Sequence, residues 1–227
     1  MSDQHGAQRF TLQSLYDGVA IPALRAPANG NRLGGVVVIQ EIFGLTTHIE
    51  DMCAQFANAG YESIAPALFA RIDPEFHAEI NPDGFTKGRT AVAATPWDQA
   101  MGDVAAAIAT LPKPCFIVGF CYGGAVAWRA ASMLDDLAGA SCFYGRQIVD
   151  LLDKIPRVPT MLHYGANDPA IPMSDVDKVR EAAPSAECFI YEAGHGFCRK
   201  GSKDYSALAR KTALTRTLDL FSRLAAS

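Results

Sequence analysis

No hydrophobic run in this chain is long enough to cross a membrane: the longest aliphatic stretch, Val36-Val37-Val38-Ile39, falls far short of the roughly 18 residues a transmembrane helix needs. The first ten residues, MSDQHGAQRF, lack the apolar core of a secretory leader. Charge is scarce as well. Charged residues are 19% of the chain, and 20 Lys+Arg against 24 Asp+Glu give a net charge of -4, a balance that speaks against nucleic acid or an anionic membrane as partner. There is no C-x-x-C pair, no zinc-ligand spacing, no P-loop and no G-x-G-x-x-G after a strand, so neither a metal nor a nucleotide cofactor is implied. Nor is there a linker, a repeat or a low-complexity tract. What is present is 227 residues, 49% hydrophobic, enough to bury a sizeable core without disulfides. The expectation is a single domain over residues 1–227, cytoplasmic, with its six cysteines reduced.

From about residue 33 onward, strand-like and helix-like patterns alternate. Short apolar runs bounded by Gly, Pro or polar residues predict strands at Val36–Gln40, Tyr61–Ala65, Cys115–Phe120, Ala140–Tyr144, Thr160–Tyr164 and Glu187–Tyr191. Helices are expected at Thr47–Ala59, Pro96–Thr110, Gly123–Leu134, Ser174–Ala183 and Lys203–Ala225, the last with Leu214, Leu218 and Phe221 as an apolar stripe. This alternation predicts an α/β fold with a mostly parallel central sheet flanked by helices, its chemistry in the loops beyond the strands' carboxyl ends. Arg71 to Thr95 reads as an irregular segment, rich in Pro and Gly, and a candidate lid.

The most informative segment is Val118-Gly119-Phe120-Cys121-Tyr122-Gly123-Gly124, between a predicted strand and a predicted helix. It is the G-x-S-x-G nucleophile elbow with cysteine in place of serine. Side chains at Gly119 and Gly123 would collide with neighbouring backbone, and the helix N-terminus favours a thiolate at Cys121 and an oxyanion beside the Tyr122 N–H. A buried cysteine beside a glycine-rich helix start is the alternative; the glycine pattern and its context favour the nucleophile. Asp168, in His163-Tyr164-Gly165-Ala166-Asn167-Asp168-Pro169, and His195, in Ala193-Gly194-His195-Gly196-Phe197, each follow a predicted strand. Cys121, Asp168 and His195 thus stand in the chain order nucleophile, acid, base. A turn-forming Asx residue is the alternative for Asp168 and a plain loop histidine for His195. His5, His48, His77 and His163 lack any such context.

On these residues the chain resembles the dienelactone hydrolase family of α/β-hydrolases. The likeness rests on Gln40-Glu41-Ile42-Phe43-Gly44-Leu45, the elbow around Cys121, Asp168 in its GANDPAIP loop, and Gly194-His195-Gly196-Phe197. It departs at Ala67, where the family usually has aspartate. The resemblance implies that Glu41 lies near Cys121 and helps activate it, and that the Ile42 N–H joins that of Tyr122 as oxyanion donor; a salt-bridged structural glutamate is the alternative for Glu41. The family's substrates carry a carboxylate on a small lactone. Arg199 matches the arginine that grips this group, with Lys87, Arg89 and Arg71 as further candidates, for each of which a solvated surface charge is the alternative.

The expectation is therefore a cysteine-dependent hydrolase of small carboxylated lactones or activated esters, acting through a Cys-His-Asp triad and an acyl-enzyme, without metal or other cofactor. Its partner is a small-molecule substrate, and the chain is expected as a monomer or small homo-oligomer. Rival readings are a broader carboxylesterase or thioesterase, a non-hydrolytic binding protein, and a redox or metal role for the cysteines. Cys53, Cys115, Cys142, Cys188 and Cys198 read as packing residues.

Overall fold

A computed structural model describes residues 7–226, so His5 and most of the polar opening segment lie outside the described residues. The chain forms two compact units, Met1–Phe116 and Ile117–Ser227.

In the first unit, β1 (Gln8–Gln13) and β2 (Ala20–Ala26) form an antiparallel hairpin, followed by β3 (Gly34–Ile39), α1 (Thr47–Asn58), β4 (Tyr61–Pro66), α2 (Pro82–Ala94) and α3 (Trp97–Thr110). The strand order is β1-β2-β4-β3, with β2 antiparallel and β3 parallel to β4. Val36 to Ile39, Ile49, Met52 and Ile64 are all 0% exposed. Each such side chain contributes roughly 1.5–3 kcal/mol by leaving water. The β1–β2 hairpin carries no strong sequence signal because β1 buries only Leu12 and β2 contains Pro22, a residue that argues against a strand interior.

The segment from Arg71 to Thr95 is not irregular throughout. Asn81 caps α2 by accepting the Gly84 N–H at 2.8 Å, and Pro82 stands at the first turn, where its missing N–H costs nothing. The glycines of this segment serve close approach. A Cβ at Gly88 would lie 2.5 Å from the Ile42 carbonyl oxygen, and one at Gly84 would lie 1.7 Å from that of Glu79. Phe43 meets Phe85 of α2 edge to face at 5.2 Å, and Gly44 forms an isolated bridge with His77.

Strand β5 (Cys115–Phe120) leads into the second unit, which continues with α4 (Tyr122–Met133), β6 (Gly139–Phe143), β7 (Thr160–Gly165), α5 (Met173–Ala182), β8 (Glu187–Tyr191) and α6 (Ala207–Ala225). β7 runs parallel to both β6 and β8. Residues 115–120 of β5 and all of β6 and β7 are buried, the continuous pattern of strands covered on both faces. On α6 the buried positions are Ala209, Ala213, Leu214, Thr217, Leu220 and Phe221. Leu218 is only half-buried, because the stripe passes through Thr217, which hydrogen-bonds inward, and Leu220 instead.

Candidate active site

Cys121 stands at the junction of β5 and α4 with φ 55° and ψ -115°, a backbone conformation that costs a non-glycine residue on the order of 1–3 kcal/mol. Its surroundings make the turn obligatory. A Cβ at Gly119 would lie 1.8 Å from the Gly123 carbonyl oxygen, and one at Gly124 would lie 2.8 Å from that of Phe143. The Cys121 N–H donates to the Phe143 carbonyl at 3.0 Å, tying the turn to the end of β6. The thiol is half-buried at the N-terminus of α4, where partial positive charge favours an anion.

His195 lies four residues beyond the end of β8, with its Nε2 3.3 Å from Cys121 Sγ and its Nδ1 2.6 Å from Asp168 Oδ2. Asp168 follows β7, its side chain fully buried. Its two oxygens divide the two readings left open by the sequence: Oδ1 accepts the Ala170 N–H at 2.8 Å as an Asx turn, while Oδ2 holds His195. The turn fixes the carboxylate that orients the ring. Burial alone would lower the His195 pKa, but hydrogen bonds and charge at Asp168 and Cys121 outweigh it and raise it to about 10. The imidazolium is thus held beside the sulfur.

Burial pushes Cys53 up to about 12 and Cys188 to about 11, and raises Cys142 further. All six cysteines are free. Among the described residues, no group of three or more His, Cys, Asp or Glu is placed to hold a metal ion.

Two side chains near this cluster escape sequence reading. Tyr144, at the end of β6 with φ 38°, sets its ring 5.2 Å from that of His195 and 5.3 Å from that of Phe197. Its position just past a strand's carboxyl end was the available signal. Tyr191 closes β8, and its carbonyl accepts the N–H of both Ala166 and Ala193 at 2.8 Å, so it ties together the loops that carry Asp168 and His195.

Arg199 is buried, on the turn after His195, with its N–H donating to the Gly196 carbonyl at 3.0 Å. Gly196 has φ 71°, and a Cβ there would come 3.5 Å from Arg199 Nη2. In the first unit, Glu41 is 1% exposed and Ile42 follows it, just beyond β3. Lys87 is exposed, donates to the His77 carbonyl at 2.7 Å and lies 4.8 Å from the Phe76 ring centre. Arg89 is exposed. Arg71 is committed elsewhere: it donates through Nε and Nη2 to Asp17 at 2.8 and 2.6 Å, and through Nη1 and Nη2 to Asp103 at 2.8 and 3.1 Å.

Comparison with known proteins gives consistent results. The sequence profile of the dienelactone hydrolase family matches residues 21–225. A protein of Methylorubrum extorquens that carries the provisional name carboxymethylenebutenolidase is 32% identical, over 91% of this chain and 78% of its own length. The carboxymethylenebutenolidase of Pseudomonas sp. strain P51 is 29% identical, over 88% of this chain and 89% of its own. A crystal structure from Klebsiella pneumoniae, provisionally named a dienelactone hydrolase, superposes with a TM-score of 0.84 at 29% identity, covering 96% of this chain and 98% of the other.

Proposed function

This chain belongs to the dienelactone hydrolase family, has the α/β-hydrolase fold and is a hydrolase of ester or lactone bonds; from that premise we propose that Cys121, His195 and Asp168 carry the reaction through an acyl-enzyme. The observation that supports this reading is the chain of contacts from Asp168 through His195 to the Cys121 sulfur. The Cys121 thiolate attacks the carbonyl carbon of a small lactone or activated ester, forming a C–S bond while the carbonyl electron pair moves to oxygen. That oxyanion is held by the Tyr122 N–H at the start of α4. Collapse re-forms the carbonyl, breaks the C–O bond and expels an enolate or alkoxide, which takes its proton from the His195 imidazolium. Neutral His195, oriented by Asp168, then removes a proton from water, whose oxygen attacks the thioester and returns Cys121 to the thiolate.

A thiolate expels an enolate more readily than a simple alkoxide, so conjugated enol-lactones are better substrates in this proposal than alkyl esters. Family resemblance assigns Glu41 the activation of Cys121, the Ile42 N–H a share of the oxyanion and Arg199 the substrate carboxylate. Glu41, 1% exposed just beyond β3, and Arg199, buried on the turn after His195, are the side chains to which that resemblance gives these parts. We place the protein in the cytoplasm as one domain acting on a small molecule. Among the described residues no helix is long and apolar enough to cross a membrane.

A substrate panel tests the proposal. Cis- and trans-dienelactones are compared with uncarboxylated esters and thioesters of the same size. Cys121→Ala is expected to lose at least about 10^4-fold in kcat/KM on all of them. Arg199→Ala is expected to lose the preference for carboxylated lactones, and Glu41→Gln to slow every substrate. Wild-type hydrolysis by Cys121→Ala sinks the mechanism.

A further inference from the structure

A buried polar chain that the reaction itself does not use joins β6, β7, β8 and α6. His163 of β7 is 0% exposed. Its Nδ1 is 2.9 Å from the Tyr191 hydroxyl and its Nε2 3.3 Å from the Thr217 hydroxyl on α6. Arg216 Nη1 donates to the same Tyr191 oxygen at 3.1 Å, with the guanidinium stacked 4.1 Å over Phe189. Thr217 donates to the Ala213 carbonyl at 3.0 Å and lies 2.8 Å from the Ser141 hydroxyl.

One assignment of protons satisfies every member of this chain. Arg216 donates to Tyr191; the Tyr191 O–H donates to His163 Nδ1; the His163 Nε2–H donates to Thr217; Thr217 donates to Ala213; Ser141 donates to Thr217. His163 is then neutral, in agreement with burial and, behind it, the Arg216 charge, which push its pKa down to about 3. The phenol oxygen is fixed from two sides, and the Tyr191 backbone with it. That backbone sits opposite Gly165 in the β7–β8 register and accepts the N–H groups of Ala166 and Ala193. Ala166 and Ala193 each stand two residues before Asp168 and His195. The Asn167 N–H closes the same knot by donating to the Ala193 carbonyl at 3.0 Å.

We propose that Tyr191, clamped through its hydroxyl by His163 and Arg216, is a positioning residue that sets the spacing of Asp168 and His195. It rests on the functional reading above for the importance of that spacing. The clamp is not a catalytic group: it holds the backbone from which the acid and the base both project. Loosening it should lengthen the Asp168–His195 bond without touching the substrate.

The test is Tyr191→Phe, which keeps the ring and removes the oxygen, with Arg216→Gln as a second variant on a half-buried side chain. Three readouts are taken: kcat and KM separately, the alkaline limb of the pH–rate profile, and the downfield NMR resonance of the His195 Nδ1 proton without substrate. The expected result is a fall in kcat of about tenfold with KM within about twofold. The alkaline limb moves to lower pH and the Nδ1 resonance moves upfield or broadens. A variant with reduced Tm but wild-type kcat, limb and resonance overturns the proposal, since that is a purely structural role. If Tyr191→Phe does not fold, Arg216→Gln decides on the same readouts. Because the resonance is read without substrate, it also separates two failures: a moved resonance in a protein inactive on the whole panel removes the reaction and leaves the clamp.

Discussion

Asp168 and Asp103 are both carboxylates with fully buried side chains, one in each unit, and each is paired with a side chain that carries positive charge. Their partners differ. Asp168 faces His195, an acid–base group whose other nitrogen touches a thiol. Asp103 faces Arg71, whose guanidinium cannot give up its proton and is shared with Asp17. Hydrogen bonding to Asp17 raises the Arg71 pKa, burial opposes it, and Asp103 adds to the rise, so the cation is locked in. Burial alone therefore does not mark a functional carboxylate. What marks it is a partner that can exchange a proton and has somewhere to send it.

Exchanging each acid for its amide separates the two roles. Asp168→Asn keeps the shape but leaves His195 without its anionic partner and in the wrong tautomer, and kcat is expected to fall about 10^3- to 10^4-fold in the folded protein, whatever stability the lost pair also costs. Asp103→Asn is expected to cost stability alone. It strips the buried end of the Arg71 cluster while Asp17 remains, so unfolding free energy should drop by about 2–4 kcal/mol, below the upper end for breaking a buried pair. Below its lowered Tm, kcat should stay within about twofold of wild type. Urea unfolding and steady-state kinetics on the two variants check this. An Asp103→Asn protein that stays stable and loses activity would break the contrast.

The same contrast explains what could be read from sequence. The elbow around Cys121 is legible because backbone sterics leave few choices: a Cβ at Gly119, one of the two glycines the motif singles out, would meet the Gly123 carbonyl oxygen, and Gly124, which the motif did not single out, is crowded by that of Phe143. Asp168 and His195 are legible because each stands in a Gly-containing loop just past a short, mostly apolar strand. Arg71 carried no such signal. Its partners lie 54 and 32 residues away, and only folding reveals that the charge is already used. Helix α2 was hidden for a local reason, since Gly84 and Gly88 resemble breakers until the backbone they approach is known. The clamp at Tyr191 was hidden more deeply still. His163 looks like any strand histidine, and the Thr217 and Arg216 that complete it come from a helix more than 50 residues downstream.

His163 gives the smallest expected effect and tests whether the partner rule extends to bases. It is more deeply buried than His195 and faces the Tyr191 phenol and the Thr217 hydroxyl, with the Arg216 charge near and no carboxylate hydrogen-bonded to its ring in the contacts above. The two histidines therefore shift in opposite directions, to about 10 for His195 and about 3 for His163. For His195 the folded state holds its proton more tightly than the unfolded chain, so its contribution to stability is complete below about pH 6.5 and fades as pH rises toward 10. For His163 the unfolded chain binds the extra proton, so its contribution is complete above about pH 6.5 and is lost as pH falls toward 3. Each pH unit in that acid window should cost about 1.4 kcal/mol of unfolding free energy for this one group. His163→Gln, which keeps a polar amide in the clamp and cannot take up a proton, should start less stable at pH 7 but show a shallower acid slope between pH 6 and 4. Equal slopes in the two proteins would mean that the acid loss comes from the carboxylates, and that His163 tolerates its proton in the folded chain.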